Sequence, residues 1–139
     1  MMNWQDVVDA VAAKLRAVPR LKAEIVLPNQ SATGRTKLFI ALNVSETGCL
    51  SYTDQEMVHQ GSVDMIASVP EASGSDEAYM VAAMISDLFS SIASKKAGFP
   101  AGPYWVEVCE SQQMPPNIND SMFRINVRVK VNIVIEEGE

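Results

Sequence analysis

Residues 123–135, FRINVRVKVNIVI, alternate apolar and polar along their whole length. Phe123, Ile125, Val127, Val129, Val131, Ile133 and Ile135 share one face of an extended chain. Arg124, Asn126, Arg128, Lys130 and Asn132 share the other, because side chains alternate across a strand. At roughly 3.3 Å per residue such a strand spans about 43 Å, far beyond a typical strand of about five or six residues. Its polar face carries three cations and no carboxylate. The chain needs something for that face to lie against.

Helical spacing marks two further segments. Trp4, Val7, Val8, Val11, Leu15 and Val18 predict an amphipathic helix over residues 4–17, with Asn3 as N-cap and Asp6 in the first turn. Pro19 ends it. The stretch SGSDEAYMVAAMISDLFSSIASKKAG predicts a second helix, capped by Ser75, with Asp76 and Glu77 at its start and Lys95 and Lys96 at its end. Met80, Met84, Ile85, Leu88, Phe89 and Ile92 form its expected buried stripe, and Gly98 its stop. Strands are expected at 23–27 (AEIVL), 38–44 (LFIALNV, apolar enough to be covered on both faces), 61–70 and 104–110 (YWVEVCE). The last two strands of the chain are expected to pair as a hairpin, joined by a polar loop from Ser111 to Ser121. The order helix, two or three strands, helix, two strands predicts one α+β domain over 1–139, with two helices on one face of a largely antiparallel sheet.

Composition fits a folded chain: 47% hydrophobic and 20% charged residues over 139 positions, enough to bury a core without disulfides or metal. The net charge of -6 argues against a protein that grips phosphates. Charge is segregated, at +2 over residues 1–50, -7 over 51–110 and -1 over 111–139. Such asymmetry suits head-to-tail contact between copies of one subunit. Cys49 and Cys109 are sixty residues apart, in neither a disulfide framework nor a zinc pattern, and are expected to be free, half-buried thiols. No run is long and apolar enough for a membrane helix and the N-terminus lacks a secretory pattern, so synthesis and folding in the cytosol are expected.

Chemistry has few footholds. His59 is the only histidine, which rules out a multi-histidine metal site, and EMVHQG reads as a turn-side histidine. Asp54 with Glu56, and Asp76 with Glu77, have metal-like spacing, but a pre-strand loop and a helix start explain them. No glycine-rich phosphate motif is present, and TGRTK (33–37) is followed by no helix. The reading is of a chain without catalytic, cofactor or metal residues. Interaction features are richer. Met114, Pro115, Pro116 and Ile118 set apolar groups on a stiffened loop, and Arg35 and Lys37 lie on a polar loop long enough to reach a neighbour.

The element order, the turn at Gly61, the strand stop at Pro70, SDLFSSI near the end of a capped helix and the long alternating last strand together resemble the tail terminator (tail completion) proteins of long-tailed bacteriophages. The resemblance covers the whole chain and rests on pattern, with no site motif to carry over. It implies a structural virion protein at the head–tail junction, made in the host bacterial cytoplasm. The family forms homohexameric rings that cap the tail tube and present a surface to the head–tail connector or stopper protein. It also implies no enzyme activity and no cofactor. DNA would pass through such a ring without specific binding, so an acidic lumen is expected, supplied by Asp54, Glu56, Asp64, Glu71, Asp76 and Glu77. Arg124, Arg128, Lys130, Arg35, Lys37, Met114 and Ile118 would then form the subunit interface. Alternative readings are another head–tail joining or tail tube protein, or a small cytosolic ligand-binding domain.

Overall fold

The computed structural model describes residues 3–28, 30, 37–51, 56–70, 75–90, 98–119 and 122–136. Arg35, Asp54, Glu71, Ile92, Lys95 and Lys96 lie outside the described residues. The elements are α1 (Trp4–Arg16), β1 (Glu24–Val26), β2 (Phe39–Ser51), β3 (Glu56–Pro70), α2 (Ser75–Ser90), β4 (Gly98–Ala101), β5 (Tyr104–Gln113), β6 (Asn117–Asn119) and β7 (Met122–Glu136). The strands form one sheet in the order β1-β2-β3-β7-β5-β4, with β6 pairing on β7 beyond β5. Only β1 and β2 run parallel; every other pair is antiparallel. This is the α+β architecture the pattern predicts. The N-terminal helix starts where expected, with the Asn3 side chain accepting from the Gln5 N–H at 3.0 Å.

The apolar row of β7 does what alternation demands. Ile125, Val127, Val129, Val131 and Ile133 are all buried, beside Val63, Met65, Ala67 and Val69 of β3 and Ile40 and Leu42 of β2. α2 packs on β3, β5 and β7, and α1 on β1, β2 and β4, so both helices close the same face. Phe89 of α2 meets Phe99 of β4 edge-on at 5.9 Å, a geometry aromatic quadrupoles favour.

Four expectations need correction. Gly98 opens β4 and is no helix stop; β4 forms a two-residue hairpin with β5, turned by Gly102 at φ 59 and Pro103. A positive φ costs glycine little, and glycine then proline is compatible with a hairpin turn of the primed type. Met80 is 62% exposed, because α2 presents Ala78, Val81, Ala82, Ile85 and Phe89 to the sheet. Those residues recur at helical spacing too, and their alanines let the helix sit close. Residues 56–60 and Gly61 are not a turn but the continuation of β3. Gly61 is required for another reason: a Cβ there would lie 2.4 Å from Cη2 of Trp4. Finally, the loop at 111–121 is largely strand, tied to β7 by β6 and by the Met114 N–H donating to the Asn126 carbonyl at 2.8 Å.

Two β-bulges fall at one level of the sheet. The register of β2 slips between Glu46 and Gly48 opposite Gly61, and that of β5 between Val108 and Glu110 opposite Val131, the partner of Gly61. Bulges bend a strand and sharpen its twist. Beyond this line β2, β3 and β7 continue together, carrying Cys49, His59 and Ile133.

Candidate functional site

The face of the sheet opposite the helices is the first candidate, and its residues follow from register. Cross-strand partners share a face, so Ser68, Asp64 and Ser62 of β3 align with Arg124, Arg128 and Lys130 of β7. Arg128 Nε donates to Asp64 Oδ1 at 2.8 Å, and Asn126 Nδ2 donates to the same oxygen at 3.1 Å. The Asp64 hydrogen bond and charge hold the Arg128 guanidinium above its ordinary value. Lys130 Nζ lies 3.4 Å from Glu110 Oε2 of β5, an exposed pair worth roughly 0–1 kcal/mol.

The basic row therefore lies largely against its own chain. Asp64 and Arg128, expected on two different surfaces of an assembly, are bonded to each other. Arg124 differs: it stands between Ser68 and Asn117, and its Nε is shielded from solvent with no hydrogen-bond partner among the described residues, as are Ser68 Oγ and Asn126 Oδ1. Apolar groups mark both ends of this face. Val26, Phe39 and Met122 are buried together at one end, and Val134 is 49% exposed at the other. Trp105, 55% exposed, stands one position before Val106 on β5 and shares the Val134 side. Between them a groove of about 480 Å³ is lined by Thr47, Ser62, Cys109, Arg128 and Lys130, with both bulge residues in its walls.

The other predicted site residues are dispersed. Glu56 starts β3, whereas Asp76 and Glu77 open α2 and border a cleft of about 440 Å³ shared with Arg20, Lys22 and Met80. Glu56 and Asp64 stand at positions of β3 that share one face, whereas Asp76 and Glu77 belong to the first turn of α2. Lys37 is exposed just before β2. Met114 is half-buried, and Ile118, 59% exposed, pairs with Phe123, whose ring meets Tyr79 of α2 at 5.9 Å.

A second constellation escaped sequence reasoning. On the helix-side face, Cys49 of β2 stands directly across from His59 of β3, and Cys49 Sγ lies 4.0 Å from His59 Nε2. His59 Nδ1 lies 2.6 Å from Glu46 Oε1, which also accepts from Trp4 Nε1 at 3.3 Å. The His59 hydrogen bond, assisted by the Trp4 one, holds the Glu46 carboxyl below its ordinary value. Strict alternation would send Glu46 and Cys49 to opposite faces. The bulge at Thr47 returns Cys49 to the face of Glu46, and nothing in the alternation announces that slip. Both thiols are exposed, not half-buried as expected. Cys109 lies in the β5 bulge, where partial burial and then the Glu107 charge push its thiol up.

Among the described residues no cluster of metal-ligating side chains occurs, and no helix is long and apolar enough to cross a membrane. No family model matches the chain, and no curated protein does. Nine chains of solved structures are similar. One of them, whose name describes no function, has a TM-score of 0.64 over 96% of both chains at 15% identity. That likeness is one of fold.

Proposed function

We propose that the chain is a structural subunit of a closed ring at the head–tail junction of a long-tailed bacteriophage, a tail terminator that caps the tail tube and meets the head connector. It acts without catalysis or cofactor, and its partners are copies of itself, the tube protein and the connector or stopper. The observation that carries this reading is the sheet face left without helices. That face exposes Trp105 and Val134 at one end and keeps Arg124 Nε out of solvent with no partner. A shielded donor without an acceptor costs about 1–3 kcal/mol, which an acceptor from a neighbouring subunit would recover. The exposed aromatic and aliphatic groups at the far end of the same face, Trp105 and Val134, supply apolar area of the kind that oligomers bury. The net charge of -6 suits a passage for DNA that does not hold it.

Mass photometry and negative-stain imaging of the purified chain test the proposal. Closed rings of one size are expected, and Arg124→Glu with Trp105→Ser should shift the population to smaller species. Long tubes would reassign the chain as a tube subunit. A monomer at micromolar concentration would overturn the assembly reading.

A further inference from the structure

The Cys49–His59–Glu46 row has an order that the ring reading does not use. An ionised carboxylate only accepts hydrogen bonds, so the Glu46 contact places the imidazole proton on Nδ1. That leaves the Nε2 lone pair facing the Cys49 thiol. The carboxylate is itself pinned by the Trp4 indole, whose ring is seated on Gly61, so the imidazole is oriented by the docking of α1. A nucleophile, a base within reach of it and a third group that orients the base is the arrangement that activates a thiol. Cys49 is exposed, so an electrophile can approach the sulfur.

We propose that Cys49 is the reactive thiol of this chain, with His59 as its base and Glu46 as a positioning residue, and that it undergoes exchange with small disulfides. His59 Nε2 takes the thiol proton, and the Cys49 sulfur attacks one sulfur of the disulfide. A new S–S bond forms as the old one breaks, and the departing thiolate recovers the proton from the imidazolium. The disulfide is the oxidant, the exchange is stoichiometric, and no other reactant is consumed. Cys109 is the internal control. It is also a free, exposed thiol, but the hydrogen bond it makes is to the Glu107 carbonyl at 3.9 Å, and His59, the one histidine of the chain, faces Cys49 instead.

The test compares Cys109→Ser, which leaves Cys49, with Cys49→Ser, which leaves Cys109. Each is treated with oxidised glutathione, and separately with iodoacetamide, and followed by intact mass. In the folded protein Cys49 should react about tenfold faster, a modest share of the acceleration a positioned base can provide. In denaturing guanidinium the two rates should converge. His59→Gln, made in Cys109→Ser, should bring Cys49 down to the Cys109 rate. If circular dichroism shows that variant unfolded, Glu46→Gln replaces it, with recovery in Glu46→Asp separating orientation of the imidazole from mere packing. Equal rates for the two folded thiols would overturn the proposal, as would a folded His59→Gln or Glu46→Gln protein whose Cys49 reacts unchanged.

Discussion

The two faces of the β3–β7 pair share one backbone and one register yet are built on opposite principles. On the helix side Met65, Ala67, Val127, Val129 and Ile133 are essentially excluded from water and belong to one apolar core cluster. On the other side the same strands carry Asp64, Arg124, Asn126, Arg128 and Lys130, some bonded within the chain and some not. The first face stabilises by burial, which is insensitive to direction. The second stores directional groups whose energy depends on who the partner is. A surface used for assembly is expected to hold its unmet groups apart from the core, so that gaining or losing a partner leaves the fold intact.

The sharpest way to break this contrast is to injure the core face. Ile85→Ala should cost about 2–5 kcal/mol, read as a fall in the urea midpoint with an unchanged slope. Gly61→Ala should cost about 1–3 kcal/mol, because the added Cβ overlaps the Trp4 ring and displaces α1. Asp64→Asn should lower the midpoint by less than either, since it removes a charge from a pair lying partly in solvent. Trp105→Ser with Val134→Ser should leave monomer stability within about 0.5 kcal/mol and still reduce assembled mass. A loss as large as that of Ile85→Ala would erase the distinction between the faces.

The smallest effect concerns pH. The folded-state value of Glu46 lies below its ordinary value, so the protein gains stability from its ionised form. Sign follows directly: this contribution is complete above pH 4.5, and is lost as pH falls from there through the lower folded value. Glu46→Gln should flatten the acid limb of the stability profile in that window only. It should leave the mass distribution at neutral pH unaltered, as read by mass photometry.

How legible each part was depends on the range of the interaction that sets it. The long alternation of residues 123–135 is legible because period-two patterning is local, and the strand runs from Met122 to Glu136. The N-terminal helix was legible for the same reason, from its cap to its apolar stripe. β4 was missed because four residues ending in a tight turn carry too little pattern to be seen. Of the described residues of the expected α2 stripe only Met80 departs: Ile85 and Phe89 are buried and Met84 and Leu88 pack against the core, and how far the helix rolls toward Ala78, Val81 and Ala82 is decided by the sheet it meets. Gly61 suggests a turn beside His59, whereas the missing side chain there makes room for Trp4.

Local alternation, helical spacing and capping chemistry sufficed to specify two helices, the main strands and an α+β class, since each depends on neighbours a few residues away. The partners of the charged row, the level of the two bulges and the meeting of Cys49, His59 and Glu46 came only with the folded sheet. Register is a relation between distant segments, and a one-residue slip in it changes which side chains share a face.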